Sequence, residues 1–380
     1  MKSSFLFRRH HFFSLLHQFD PQKGPIDLFI SLYFRHHPQL GSKDRAEIVE
    51  KVYTFFRWKL LIEKFLDQKE LKGEERAERL YDVLSEDIER VCGAAALPEH
   101  LCVSFPESLF QLIQKSWHDH AVAICRVCNS PAPLMIRVNR LKTSKEKLIA
   151  ALEARGIVVE NLGGDALRLA KRMNLFVIPE FVNGWFEVQD VGSQKVAEYV
   201  DACPGQLVLD YCAGSGGKSL AIAPHLENRG QLFLYDIREK ALAEAKKRLR
   251  RAGVQNAQII TSSRQLRLLK GRMHHVLVDA PCSGTGTLRR NPDMKWKFSE
   301  EMLHRLVAEQ RSILAESFQY LKSGGTLVYA TCSLLREENE EQVAYMLKHF
   351  PVRLYRPVFQ TVPSYTGGDG FFAAAFERIS

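Results

Sequence analysis

The spacing of apolar residues divides the chain into three regions. In the first, residues 1–131, apolar positions recur at helical intervals, as in DRAEIVEKVYTFFRWKLLIEKFL, where Ile48, Val52 and Phe56 share one face. Ser42 precedes this run and is its predicted N-cap. The same periodicity predicts helices over ERAERLYDVLSEDIERV and PESLFQLIQKSW. We therefore expect an all-helical domain over residues 1–131.

The second region, residues 132–198, mixes the two kinds of element. Short strands are predicted over PLMIRVN, IVVENL, ALRLA and GWFEVQD. The segment SKEKLIAALEARG predicts a helix that begins after Thr143 or Ser144 and closes at Gly156. This pattern indicates a small α+β module.

In the third region, residues 199–380, strands and helices alternate. Strands are predicted over QLVLD, GQLFLYDI, AQIITS, HHVLVDAPC and TLVYATCS. One intervening helix is predicted to end at Gly253, and another to stop at Gly324 and Gly325. Such alternation is typical of α/β proteins with a doubly wound, mostly parallel sheet, that is, a Rossmann-like domain.

Candidate chemistry lies where these strands end. Ligands of doubly wound sheets bind at the carboxyl ends of the strands, where the pattern places Cys212, Asp236, Asp279, Cys282 and Cys332. The glycine-rich loop DYCAGSGGK matches neither a Walker A loop nor a G-x-G-x-x-G fingerprint. A carboxylate one strand later can accept ribose hydroxyls. This combination favours S-adenosylmethionine over a nucleotide phosphate, the alternative being a simple tight turn.

Four stretches together carry a family resemblance: DYCAGSGGKSLAIA, LYDIREKAL, VDAPCSGTGTLRRNPDMKW and GGTLVYATCSLLREENEEQV. They resemble the Sun/RsmB-type (RsmB/NOP) family of RNA cytosine-5 methyltransferases. The resemblance implies a class I methyltransferase domain over residues 199–380, preceded by a pre-core module. The segment GSKDRAEIVEKVYTFFRW is similar to the NusB-like, RNA-binding helical domain of bacterial members.

The resemblance also implies catalytic roles. The cysteine of Thr-Cys-Ser, Cys332, corresponds to the nucleophile that adds to C6 of cytosine and makes C5 reactive toward a methyl sulfonium. The cysteine of Pro-Cys, Cys282, corresponds to the residue that helps to release the product. Asp279 matches the residue that faces the base, and Lys218 a lysine near the methyl donor and the base.

Cofactor and RNA contacts follow from the same resemblance. The expected S-adenosylmethionine site comprises Cys212, Ala213, Gly214, Ser215, Gly216, Gly217, Lys218, Asp236, Arg238, Ser263 and Asp279. The sequence departs from the family at AQIITSSRQL, where Ser262 or Ser263 replaces the usual Asp. The expected RNA contacts are Arg289, Arg290, Asn291, Arg137 and Asn139.

Composition bears on partners and location. A formal net charge of +9 favours a polyanionic partner. The family resemblance implies 16S rRNA as that partner, with tRNA as the alternative substrate. A catalytically inactive RNA-binding or ribosome-assembly protein is the rival function. Dispersed cysteines predict reduced thiols and a cytoplasmic location. We also expect a monomer. We expect no membrane segment and, because Cys125-x-x-Cys128 lacks a second pair, no metal.

Overall fold

The computed structural model describes residues 2–379, which form two compact units. The first contains the chain up to Pro131 together with Thr287–Met302, and the second contains Ala132–Gly286 and the chain from Leu303 onward. The sequence did not indicate that residues 287–302 pack with the helical region. The division into three domains stays a prediction.

The first unit is helical, as predicted. Its helices before Pro131 are α1 (Lys2–Gln18), α2 (Ile26–His36), α3 (Ser42–Gln68), α4 (Gly73–Val83), α5 (Ile88–Val91), α6 (Glu99–Cys102), α7 (Glu107–Trp117) and α8 (Ala121–Cys128). Two details of the prediction were wrong. Gly41, with an extended backbone, is the N-cap of α3, and Ser42 is already helical. The segment predicted as one helix forms α4 and α5, because the Asp87 side chain caps a new start.

Packing within this unit explains why residues 287–302 return to it. Phe12 of α1 and Ile48 and Val52 of α3 are buried in one apolar cluster. Lys295 is also buried, and its Nζ donates to the carbonyl oxygens of Arg57 (2.7 Å) and Ser104 (2.9 Å). Burial lowers the pKa of Lys295 to about 7. A buried ammonium needs such acceptors, so Lys295 anchors the segment.

The second unit begins with the α+β module. Its elements are β1 (Met135–Val138), α9 (Lys145–Glu153), β2 (Val159–Asn161), β3 (Ala166–Leu169), α10 (Pro179–Val182), β4 (Phe186–Val188) and α11 (Val191–Glu198). The strands pair antiparallel in the order β2-β3-β1-β4. Ser144 caps α9 through its side chain, and Gly156 follows with φ +73°. The predicted strands and helix start are therefore confirmed.

The rest of the unit is the Rossmann-like core. Its elements are β5 (Leu207–Asp210), α12 (Gly217–Leu226), β6 (Gln231–Leu234), α13 (Glu239–Ala252), β7 (Ala257–Ile259), α14 (Ser263–Arg267), β8 (Met273–Asp279), α15 (Met294–Lys297, in the first unit), α16 (Glu300–Phe318), β9 (Leu321–Thr331), α17 (Glu340–His349), β10 (Val352–Leu354), β11 (Phe359–Thr361) and β12 (Phe371–Arg378). The sheet order is β10-β12-β9-β8-β5-β6-β7. Neighbouring residues Val208 and Leu209 are buried in separate apolar clusters, as expected for a sheet covered on both faces. This confirms the predicted α/β fold.

The glycines near residue 324 act differently from the prediction. Helix α16 ends at Phe318, and Gly324 (φ +70°) and Gly325 lie within β9. Leu321 pairs with Met273 and Thr326 with His275, so the intervening residues bulge from the ladder. The antiparallel strands β10, β11 and β12 were not predicted. Among residues 2–379, none of the helices has the length and apolar character needed to cross a bilayer.

Candidate active site

The candidate catalytic side chains gather at one edge of the core sheet. Strands β5, β6, β8 and β9 run parallel, so their carboxyl ends share that edge. A cavity of about 700 Å³ opens there. The sequence-predicted residues that line it are Cys212, Ala213, Gly214, Ser215, Gly217, Lys218, Asp236, Arg238, Asp279, Cys282 and Cys332. Gly216 lies behind this lining, in the same loop.

Two thiols face each other in this cavity. The Sγ atoms of Cys282 and Cys332 are 3.5 Å apart, and the Gly286 N–H donates to the Cys332 carbonyl oxygen (2.8 Å). A hydrogen bond from the Cys282 thiol lowers the pKa of Cys332. Burial and Asp279 raise this pKa and Lys218 lowers it, and the net shift is downward. The pKa of Cys282 is raised by the same bond and by burial. The opposite directions of the two shifts favour Cys282 as the donor and Cys332 as the acceptor of this hydrogen bond.

A partly buried ion pair lies beside the thiols. Lys218, in the first turn of α12, places Nζ 2.6 Å from Oδ2 of Asp279, at the end of β8. Burial lowers the pKa of Lys218, but the attraction of Asp279, Cys332 and Asp210 outweighs burial and leaves it raised. Lys218 is therefore a permanent cation at the site.

The glycine-rich loop has a backbone that requires glycine. Gly214 and Gly216 have φ of +52° and +79°. A Cβ on Gly216 would lie 3.1 Å from the Cβ of Ala245 on α13. The guanidinium of Arg248 donates to the carbonyl oxygen and to Oγ of Ser215, at 2.9 Å each. The loop is thus fixed in a conformation that exposes its backbone to the cavity.

Asp236 has four hydrogen bonds in this structure. Its carboxylate accepts from the Gly214 N–H (2.7 Å) and from the N–H, Nε and Nη2 of Arg238 (2.8–3.0 Å). Burial raises its pKa, but the hydrogen bonds from Arg238 and Gly214 prevail, and the net shift is downward. Asp236 is ionised and aligned at the cavity. A ribose would have to replace the Arg238 side chain, since Arg238 already uses both carboxylate oxygens.

Ser262 and Ser263 lie at a neighbouring cavity of about 1070 Å³. Tyr235, Asp236 and Ile237 line both cavities. Oγ of Ser262 accepts the Gln265 N–H and caps α14. Ser263 is therefore on the Asp236 side of the site, away from the thiols, and its predicted role in cofactor binding stays a prediction.

Two of the predicted RNA contacts are buried inside the second unit. Arg137 is 3% exposed and its Nε donates to Gln189 (2.8 Å); Asn139 is 2% exposed. The Asn139 amide donates to the carbonyl oxygens of Gly184 and Ala252, at 2.8 Å each. Both side chains thus bind protein groups that would otherwise be unsatisfied. Neither side chain faces solvent in this structure, and the direct RNA contacts expected of them stay predictions.

The three residues predicted to contact RNA in the loop after Cys282 differ in their exposure to solvent. Arg289 is fully buried, at 0% exposure, and the direct RNA contact expected of it stays a prediction. Its carbonyl oxygen accepts from the Arg57 guanidinium (3.0 Å). Arg290 and Asn291 are partly exposed, and their RNA contacts stay predictions.

Other cavity residues were missed in the sequence. Glu309, Ile313 and Glu316 of α16 line the cavity, and the Tyr211 hydroxyl donates to Glu316 (2.7 Å). Their spacing of four and three residues marks one helix face, and this signal was available in the sequence. Glu338, behind the thiols, was missed too. Among residues 2–379, no group of three or more His, Cys, Asp or Glu side chains is arranged to hold a metal ion.

Comparison with known proteins agrees with this geometry. The model of the 16S rRNA methyltransferase RsmB/F family matches residues 197–377, and a model of the ferredoxin-like domain of RsmF/B-like methyltransferases matches residues 105–175. The chain belongs to the RsmB/F family. The ferredoxin-like match begins before the module predicted over residues 132–198 and ends before β4.

Individual relatives support this membership. Ribosomal RNA small subunit methyltransferase B of Proteus mirabilis is 35% identical over 280 residues, covering 72% of this chain and 65% of the relative. The protein of the same name from Photorhabdus laumondii is 35% identical over 287 residues, covering 72% and 66%. A methyltransferase homologue from Pyrococcus horikoshii is 26% identical, with a TM-score of 0.66, covering 74% of this chain and 97% of that one. The matched part of this RsmB/F member spans just under two thirds of its curated relatives.

Proposed function

We propose that this RsmB/F-family chain transfers a methyl group from S-adenosylmethionine to C5 of a cytosine in RNA. The observation that carries the proposal is the pair of thiols, Cys332 and Cys282, 3.5 Å apart beside the Lys218–Asp279 ion pair. Two adjacent thiols suit a reaction in which one attacks the base and the other assists its release. Membership of the family supports this choice of reaction.

The residues present fit the methyl donor. The ionised Asp236 and the exposed glycine-loop backbone offer acceptors and donors for a ribose and an amino acid, in a cavity of about 700 Å³. S-adenosylmethionine, when bound, supplies an electrophilic methyl group. Cys212 lines this cavity as a neutral thiol, because burial and the nearby Asp210 raise its pKa.

The protein groups have distinct tasks in this reaction. The Cys332 thiolate forms a bond to C6, and the C5=C6 electron pair becomes available at C5 for the methyl group. We infer that Lys218 and Asp279 stabilise the charge that develops on the N3 side of the ring. A water molecule then takes the C5 proton, the C5–H electron pair re-forms the C5=C6 double bond, and the C6–Sγ bond breaks with its electron pair on Sγ. Cys282, which holds its own proton, is placed to assist this departure.

The substrate is proposed to be 16S rRNA in the cytoplasm, acted on by a monomer. The names of the bacterial relatives and of the family support ribosomal RNA. The net charge of +9 and the partly exposed Arg290 and Asn291 support a polyanion. Transfer RNA is the alternative substrate.

The test is direct. Purified chain is incubated with radiolabelled S-adenosylmethionine and with 16S rRNA or tRNA, and the product is mapped by bisulfite sequencing. We expect one 5-methylcytosine position in 16S rRNA, which is also lost from cells without the gene. Methylation of tRNA alone would correct the substrate. RNA binding without any methylation would support the rival, a catalytically inactive assembly protein.

A further inference from the structure

A carboxylate is buried directly behind the two cysteine loops. Glu338 lies between β9 and α17 and is 0% exposed. Burying a carboxylate is costly unless hydrogen bonds satisfy its oxygens. The identity of its donors therefore indicates what this carboxylate does.

Its donors come from the residues that follow the two cysteines. Oε1 of Glu338 accepts the Ser283 N–H (2.8 Å), and Oε2 accepts the Ser283 hydroxyl (2.5 Å). Oε2 also accepts the Ser333 hydroxyl, at 2.5 Å. Ser283 directly follows Cys282, and Ser333 directly follows Cys332. One carboxylate thus holds both loops, one residue away from each thiol.

Helix α16 completes the arrangement. Nε2 of Gln310 donates to Oε1 of Glu338 (3.0 Å) and to the carbonyl oxygen of Pro281 (2.9 Å), the residue before Cys282. Gln342 of α17 donates to Oε1 of Gln310 (3.1 Å) and fixes its orientation. The Cys282 loop is therefore held on both sides of the thiol, and the four groups that donate to Glu338 are neutral.

We propose that Glu338 is a positioning residue, whose carboxylate clamps the Cys282 and Cys332 loops together and so sets the distance and orientation of the two thiols. The catalytic consequence of this inference rests on the proposed function. The effect of Glu338 on the positions of the two thiols does not depend on that function. Glu338 touches neither substrate nor cofactor cavity; it acts through Ser283 and Ser333.

The clamp has an electrostatic side effect. Burial raises the pKa of Glu338, and its negative charge raises the pKa of both Cys282 and Cys332. Removing the charge while keeping the hydrogen bonds should therefore make the Cys332 thiolate easier to form. Glutamine does this, because its oxygen can serve the Ser283 N–H and Gln310 while its amide donates to the two hydroxyls.

The experiment separates position from charge with three variants of the full chain. Glu338→Ala removes the clamp, Glu338→Gln removes only the charge, and Glu340→Gln is an exposed control two residues away. Two quantities are measured for each variant. One is single-turnover methyl transfer to 16S rRNA. The other is the rate of Cys332 alkylation by iodoacetamide against pH, read by peptide mass spectrometry.

We expect Glu338→Ala to slow methyl transfer about 100-fold, the order of effect of an ångström-scale misplacement, with cofactor affinity unchanged. In Glu338→Gln the loss of methyl-transfer rate should be roughly tenfold smaller than in Glu338→Ala. The midpoint of its Cys332 alkylation should move to lower pH. Glu340→Gln should match the unaltered chain. Normal turnover by Glu338→Ala would overturn the proposal, and so would an alkylation midpoint that Glu338→Gln leaves unmoved.

A folding defect is handled by a second variant. If Glu338→Ala loses its folded circular dichroism spectrum, Ser283→Ala combined with Ser333→Ala removes both hydroxyl donors and leaves the carboxylate's N–H and amide partners. This variant should show the same loss of rate; full activity would overturn the clamp. Failure of the proposed function would look different, since no variant would then methylate RNA while the alkylation midpoints would still differ.

Discussion

The Lys218 ammonium lies 2.6 Å from the Asp279 carboxylate, and this ion pair joins the two halves of the site. Lys218 follows the glycine-rich loop, whereas Asp279 begins the segment that leads to Cys282. The Lys218 side chain is the more buried of the two, at 10% against 34% exposure. Removing one partner of a buried pair leaves an uncompensated charge, which is strongly unfavourable.

Replacement of Lys218 should therefore act on the nucleophile. In Lys218→Met the cation that favours the Cys332 thiolate is absent, while the opposing charge of Asp279 remains. We expect the midpoint of Cys332 alkylation against pH to rise and methyl transfer to fall by at least about 100-fold. The exposed Lys195→Met is the control. A midpoint that stays in place would mean that Lys218 serves only the cofactor.

Much of this site could be predicted because strand ends are local features. Asp236, Asp279, Cys282 and Cys332 each follow an apolar run, and parallel strands bring such positions to one edge. The roles of Arg137, Asn139 and Arg289 could not be predicted in this way. Their burial depends on partners far along the chain, such as Ala252 for Asn139. An arginine or asparagine in a motif looks the same whether it faces solvent or satisfies buried carbonyl groups.

The same reasoning explains why Glu338 escaped notice. In the sequence it is one of several glutamates in REENEE, a stretch that is typical of an exposed helix start. In the structure it is buried, whereas Glu340 is exposed. Helix α17 begins only at Glu340, so Glu338 belongs to the turn before it, where Ser283 and Ser333 meet.

Loss of the nucleophile should be selective. In Cys332→Ala the bond to C6 cannot form, so methyl transfer should fall below detection, while S-adenosylmethionine and RNA affinities stay near normal. Calorimetry and filter binding test the affinities, and tritium transfer tests the activity. Substantial turnover by this variant would contradict the assignment of Cys332.

Replacement of Asp236 should weaken S-adenosylmethionine binding, whereas replacement of Arg238 should not. Asp236→Ala removes charge-assisted hydrogen bonds, each of about 1.5–3 kcal/mol, and should weaken S-adenosylmethionine binding measured by calorimetry. Arg238→Ala is the matched variant: it frees the carboxylate oxygens and should leave affinity equal or higher. Ser262→Ala and Ser263→Ala should have smaller effects. Unchanged affinity in Asp236→Ala would place the ribose elsewhere.

Asp210 should make stability depend on pH. It is buried at the end of β5, where Ser219 donates to Oδ2 (2.6 Å), and burial raises its pKa to about 7 from 3.8. The folded state therefore holds a proton that the unfolded state has released between these values. The free energy of unfolding should consequently fall as pH rises from about 4 to about 7, and stay lower above it.

The variant Asp210→Asn removes this titration. Its stability relative to the unaltered chain should rise between pH 5 and pH 8, by about 2–3 kcal/mol, in urea denaturation. Glu153→Gln, an exposed carboxylate in the same unit, should show no such trend. A difference that is constant with pH would mean that Asp210 is ionised throughout.

Cys282 should control release and not attack. If it assists departure of Cys332, then Cys282→Ala still forms the C6 bond and transfers the methyl group, but the enzyme remains attached to its product. Incubation with RNA and S-adenosylmethionine should give a slow-migrating band on a denaturing gel, because the thioether is covalent. Nuclease treatment should collapse that band to the mobility of the free protein.

The control is the double variant Cys282→Ala with Cys332→Ala, which should give no band because no nucleophile remains. A thiol that only packs in a tight turn predicts a different result: Cys282→Ala would turn over with at most a loss of stability. The 3.5 Å approach of the two sulfur atoms favours release, since the Cys282 hydrogen bond that stabilises the Cys332 thiolate before attack also stabilises it as the leaving group. Full-rate turnover by Cys282→Ala without an adduct would leave Cys332 acting alone.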